Sequence, residues 1–70
     1  MNRKQMEYFI EVYRCGNIQT AADHLYVARQ GLSRAMRSLE AELGQPLFTR
    51  TPRGIIPTDY AAALLPHVQR

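Results

Sequence analysis

A chain of 70 residues makes one small domain that buries only about 60% of the surface its unfolded form exposes, so a partner chain or a staple is expected. Its single cysteine, Cys15, excludes an internal disulfide and fits a reducing cytoplasm; a zinc site needs a ligand cluster that the spacing does not display, so neither metal nor cofactor is expected. Nine lysines and arginines against six acids give a net charge of +3, which suits a polyanionic partner, and the longest apolar run, Ala61 to Leu65, is far below the roughly 20 residues of a membrane span.

The first helix is expected to start after Asn2, with Gln5 three residues on completing a capping box. Met6, Phe9, Ile10 and Tyr13 form its apolar face, and Gly16 ends it in the left-handed cap position. Asn17 is a strong N-cap for a short second helix whose buried face reads Ile18, Ala21, Ala22 and Leu25. Tyr26-Val27-Ala28 is a break, with Val27 placed to tuck into the core. A third helix runs from about Ala28 to Leu43 with the stripe Leu32, Met36, Leu39 and Leu43. Gly44 stops it and Pro46 prevents its continuation. Two short strands follow, Leu47 to Arg50 and Ile55 to Pro57, around Thr51-Pro52-Arg53-Gly54, where proline second and glycine fourth suit a type I turn. Thr58 caps a final helix from Asp59 to the end of the chain, lined on one side by Ala61, Leu64, Leu65 and Val68.

This order predicts a mainly α fold, a winged helix-turn-helix of three helices plus a short β-hairpin wing, followed by the start of a linker helix. The winged domain takes residues 1–58, with the helix-turn-helix at about 18–37 and the wing at about 47–57; residues 59–70 begin the linker.

Charge is not spread evenly. Between Arg29 and Arg53 stand five arginines (29, 34, 37, 50 and 53) and only two acids, Glu40 and Glu42, both in the last turns of the third helix. At 100° per residue, Arg29, Gln30, Ser33, Arg34 and Arg37 span about 140° of arc, while the apolar stripe occupies about 60°, centred well away from them. Arginine pairs bidentately with guanine and glutamine with adenine. A basic helix face alone is ordinarily just solvated. Two neighbours change that reading: the Asn17-capped helix offers free N–H groups to a phosphate, and the hairpin presents Arg50 and Arg53 beside the basic helix. The expected partner is double-stranded DNA, met by Thr20, Arg29, Gln30, Ser33, Arg34, Arg37, Arg50 and Arg53.

The run from Phe9 through Ala21-Ala22, Leu32-Ser33-Arg34, Leu39-Glu40, Leu43-Gly44, Pro46-Leu47-Phe48 and Arg50 to Thr58 resembles the N-terminal domain of LysR-type bacterial transcriptional regulators, over the whole chain. The resemblance implies sequence-specific DNA binding with the third helix in the major groove. It brings Arg29, Gln30, Ser33 and Arg34 to bases or nearby phosphates, and Arg53 to the minor groove with Arg50 on its flank. It further implies a cytoplasmic homodimer joined through the linker helix (Ala61, Leu64, Leu65, Val68), weak in so short a chain, and an interrupted palindrome as operator. In the family an effector-binding domain of periplasmic-binding-protein type follows. The expectation is therefore an isolated DNA-binding fragment, on which a small-molecule inducer would act only through that further domain. Three positions depart from the family pattern. Ala28 replaces a serine or threonine cap, Arg29-Gln30 replaces glutamine followed by proline or serine, and Tyr60-Ala61 replaces Ala-Gly.

The remaining residues read more plainly. His24 and His67 are surface histidines, too far apart and too unaccompanied for a metal site, and Cys15 is a small filler. Tyr8, Tyr13, Tyr26 and Tyr60 are packing residues, with a phosphate contact the alternative for Tyr26 beside the turn. Gly31 inside the third helix is either drift or room for close approach to DNA. An enzyme is the poorest reading, since no nucleophile–base pair, phosphate loop or carboxylate pair stands out. The rivals are a winged-helix protein-interaction or dimerisation module and another winged-helix regulator, such as a molybdate-responsive one.

Overall fold

The computed structural model describes residues 1–69. Its elements are α1 (Arg3–Cys15), α2 (Ile18–Leu25), α3 (Arg29–Leu43), β1 (Phe48–Thr51), β2 (Gly54–Pro57) and α4 (Asp59–Val68). Arg70, assigned above to the linker helix, lies outside the described residues.

The caps fall where the side chains dictate. Asn2 Oδ1 accepts from the Gln5 N–H at 2.8 Å, and Gln5 Oε1 accepts from the Asn2 N–H at 3.0 Å, a reciprocal pair that satisfies two orphan donors of α1. Asn17 Oδ1 accepts from Thr20 N–H at 2.9 Å and opens α2. Thr58 Oγ1 does the same for α4, accepting from the Ala61 N–H. Ala28 gives α3 no side-chain cap. α2 ends on Tyr26 at φ 58°, the one non-glycine residue with positive φ among those described. That conformation costs a side-chain-bearing residue about 1 kcal/mol or more.

Phe9, Val12, Ile18, Ala21, Ala22, Leu32, Met36, Leu39, Leu47 and Ala61 form the core. α1, α2 and α3 pack on one another around it, and Ala21-Ala22 lets the helices approach closely. Val12 is fully buried although the apolar stripe read along α1 passed over it. Val27 packs against the core from its edge, partly buried.

The hairpin begins one residue later than the sequence suggests. Leu47 is a core residue, not a strand residue: its N–H donates to Glu40 Oε2 at 2.6 Å and its carbonyl accepts from the Thr58 N–H at 2.9 Å. With both backbone groups occupied, the ladder starts at Phe48↔Pro57 and closes at Thr51↔Gly54 over the two residues Pro52-Arg53. β2 is fastened to the helical body where Ile55 N–H donates to the Gly16 carbonyl at 3.2 Å. Gly54 has φ +136°, and a Cβ there would stand 2.8 Å from the Gly16 oxygen, so only glycine fits this approach.

α4 packs on α1 and β2. This corrects one expectation about its apolar stripe. Ala61 is wholly buried in the chain's own core, whereas Leu64, Leu65 and Val68 are half-buried. The first turn of the helix is covered by the domain that precedes it, so the stripe available to a second chain begins at Leu64.

Candidate nucleic-acid interface

α3 is two-faced. Leu32, Met36 and Leu39 hold it to the core, while Arg29, Gln30, Arg34 and Arg37 are exposed on the opposite side. Together with half-buried Ser33 these residues line an open depression along the helix. A second, adjoining depression is walled by Asn17 and Gln19 at the start of α2, by Arg29, and by Arg50, Arg53 and Gly54 of the wing.

The two surfaces are joined by one side-chain bond: Arg50 Nη2 donates to Ser33 Oγ at 2.9 Å. The wing is thereby held at a fixed place beside α3, and Ser33 is already engaged before any ligand arrives. Thr51 Oγ1, which donates to the Gly54 carbonyl at 2.9 Å and accepts from the Arg53 N–H at 3.3 Å, shapes the tip that presents Arg53.

Among the described residues, none of Arg29, Arg34, Arg37, Arg50 and Arg53 pairs with a carboxylate. Four of the acids are used elsewhere. Glu40 turns inward to the N–H groups of Leu47 and Phe48, Glu42 meets the N-terminal amine, and Glu7 pairs with Arg3. Asp23 accepts from Gln19 Nε2 at 3.0 Å. Five unpaired guanidiniums on one side of an 8.0 kDa chain form a surface with no internal counter-charge, suited to phosphates.

The structure brings Arg29, Gln30, Ser33, Arg34, Arg37, Arg50 and Arg53 to these two depressions. Thr20 is exposed but lines neither, and Gln19 holds the position on α2 that the sequence reading gave to Thr20. Tyr26, read as packing, is 96% exposed and stands three residues before Arg29. Nothing in its spacing distinguishes it from a core tyrosine; its exposure follows from the left-handed backbone that ends α2.

Another expectation is corrected at the α1–α2 junction. His24 is not unaccompanied: its Nδ1 lies 2.7 Å from Glu11 Oε2 and 3.6 Å from Cys15 Sγ, which in turn donates to Glu11 Oε2 at 3.3 Å. The hydrogen bonds from His24 and then Cys15 hold the Glu11 carboxyl below its ordinary range. Burial, and next the bond to Glu11, pushes the Cys15 thiol up. Glu11 and Cys15 are four apart and share one face of α1, but His24 stands thirteen positions beyond Glu11, a separation that only the packing of two helices closes.

Residues 3–62 match the family model described as bacterial regulatory helix-turn-helix protein, lysR family. The nitrogen assimilation regulatory protein nac of Escherichia coli (strain K12) is 38% identical over 69 residues, covering 99% of this chain and 23% of that protein. The chain thus spans about a quarter of the length of such relatives. The crystal structure of a CbnR_DBD-DNA complex superposes with a TM-score of 0.95 at 40% identity, covering 100% of this chain and 80% of that one. The BenM_DBD/catB site 1 DNA complex follows with 0.92 at 31% identity, 97% of this chain and 76% of that one.

Proposed function

The chain belongs to the lysR family of bacterial regulatory helix-turn-helix proteins, and from that premise we propose that it binds operator DNA with α3 in the major groove and the wing at the minor groove. The observation that carries the reading is the set of five carboxylate-free arginines on α3 and the wing, locked into one surface by the Arg50–Ser33 bond. CbnR and BenM domains of near-identical shape are seen in complexes with DNA. The family's members are transcriptional regulators rather than enzymes, and the family match sets aside a molybdate-responsive regulator.

The division of labour follows from position. Arg29, Arg50 and Arg53 surround the depression at the start of α2, where free N–H groups of a capped helix and three cations receive phosphates. Gln30, Arg34 and Arg37 lie along the exposed length of α3 and reach base edges. Arg53, at the tip of a two-residue turn, enters a narrow minor groove, whose negative potential attracts arginine. No described helix is long and apolar enough to cross a membrane, and the reading places the protein in the cytoplasm. Leu64, Leu65 and Val68 join two chains, and the inducer acts through the effector domain of whole family members.

Salt tests this directly. The logarithm of the affinity for duplex DNA should fall linearly with the logarithm of salt concentration, with a slope of about −0.9 per phosphate neutralised. Replacing Arg50 or Arg53 by alanine should each reduce that slope by about 1. Binding that is indifferent to salt, or to the loss of Arg29, Arg50 and Arg53 together, would favour the protein-interaction reading instead.

A further inference from the structure

We propose that Glu11, Cys15 and His24 form a three-ligand site for a zinc-class divalent transition metal, one that clamps the end of α1 to the last turn of α2. The three candidate donor atoms lie within 4.8 Å of one another. A tetrahedral zinc ion with ordinary bonds to sulfur, nitrogen and oxygen needs its ligand atoms about 3.3–3.6 Å apart. Cys15 Sγ already stands 3.6 Å from His24 Nδ1 and 3.3 Å from Glu11 Oε2. Only the His24–Glu11 pair, at 2.7 Å, must open, by roughly half an ångström, as its hydrogen bond gives way to two bonds to the metal. Both His24 and Glu11 sit on rigid helices, and the half-exposed His24 side chain supplies the small rotation.

The donor set fixes the class of ion. Thiolate, imidazole and carboxylate together favour zinc and its cobalt and nickel relatives, whereas calcium and magnesium demand oxygen. On binding, Cys15 gives its thiol proton to solvent and the thiolate pair goes to the metal. His24 releases to solvent the Nδ1 proton that it held toward Glu11 and coordinates through the freed lone pair as the neutral ring with its proton on Nε2, and one water completes the tetrahedron on the exposed side. Arg14 Nη1, 3.4 Å from Glu11 Oε1, engages the other carboxylate oxygen and so turns Oε2 toward Cys15 and His24, an outer-shell role. The site also has a structural reach. Gly16, directly after Cys15, accepts the bond from Ile55 that fastens the wing, so an ion here stiffens the junction from which both α2 and the wing depart.

The test is titration of the 70-residue chain with cobalt chloride under a phosphine reductant, followed by zinc competition and thermal melts. One cobalt per chain should bind with thiolate-to-cobalt charge-transfer absorption that zinc removes, and zinc should raise the melting temperature. Cys15→Ser should abolish the charge-transfer band. His24→Ala should weaken binding by more than the roughly 10–100-fold that loss of an outer-shell partner costs, while His67→Ala should bind like the parent. His24 is exposed, so its variant retains the fold, verified by circular dichroism, and decides the matter if Cys15→Ser does not fold. Absence of the charge-transfer band with the parent chain, or a His24→Ala variant that binds as tightly as the parent, would overturn the proposal.

Discussion

Arg34 and Arg53 carry the same charge in different settings, and that difference sets what their loss should do. Arg34 projects from the exposed side of α3 beside Gln30 and Arg37, where the proposed reading sets it against base edges; Arg53 tips a hairpin, which that reading sets against the minor-groove backbone. Arg34→Ala should therefore lower the preference for operator over random duplex by about 1–3 kcal/mol, the worth of one good base contact. Arg53→Ala should weaken every duplex, A·T-rich ones most. Fluorescence-anisotropy titrations on operator, A·T-rich and G·C-rich duplexes separate the two, and equal losses on all three for both variants would remove the base-reading role of α3. Residue identity was legible here because both arginines announce themselves by charge and by place. Glu40 did not. Its spacing put it harmlessly in the last turns of α3, yet it caps the N–H groups of Leu47 and Phe48, which lie past the end of the helix, so the bond joins two elements and follows no period within either. Tyr26 was misjudged for a related reason: aromatic rings usually pack, and only the positive φ that ends α2 turns this one outward.

At the scale of elements, the helices were legible because their caps and periods are local, each decided within a turn or two of sequence. Asn2, Gly16, Asn17, Gly44 and Thr58 all end or begin helices where the sequence implies. The one weak start is α3. Its first N–H groups have no side-chain acceptor, and an oxygen at position 28 would supply one. Ala28 has extended backbone angles and is exposed, so serine fits without rearrangement. Ala28→Ser should stabilise the fold by roughly 1 kcal/mol, read as a rise in melting temperature of about 4–8 °C for a domain of this size; no rise would mean that solvent already serves these groups well. The wing shows the limit of local reading. Its one-residue shift comes from Glu40 and Thr58 claiming the backbone of Leu47, both of them contacts between elements. Its attachment to the helices rests on Gly54, where a methyl group would strike the Gly16 oxygen at 2.8 Å. Gly54→Ala should cost about 1–3 kcal/mol of stability through backbone strain. It should also reduce DNA affinity by displacing Arg53, and a variant with unchanged melting temperature and affinity would show that the hairpin is not held by this approach.

For the whole molecule, the question is what covers α4. The helix has ten residues, too few to persist without packing, and Pro66 withholds one donor near its end. Its first turn is secured by Thr58 and by burial of Ala61, and its last by the Gln69 N–H donating to the Leu65 carbonyl at 2.9 Å. Between them Leu64, Leu65 and Val68 are left half covered. The sequence reading took all four apolar residues as one interface, because periodicity reports which residues share a face and not which body lies against it. The structure divides that face, and only its distal part is free for a second chain. Two copies joined there by a twofold axis would place their α3 helices on successive half-sites, about one helical turn of DNA or a multiple of it apart. So small a contact would yield a weak dimer in solution, and DNA would supply the remaining free energy by holding both copies at once. Sedimentation of the 70-residue chain alone should therefore show mostly monomer, and with an interrupted palindromic duplex it should show two chains per duplex. Leu64→Glu should leave a single half-site occupied as before but abolish the cooperative second occupancy, since it buries a charge at the joint. One chain per palindrome at high protein concentration, unchanged by Leu64→Glu, would mean that α4 serves only its own domain.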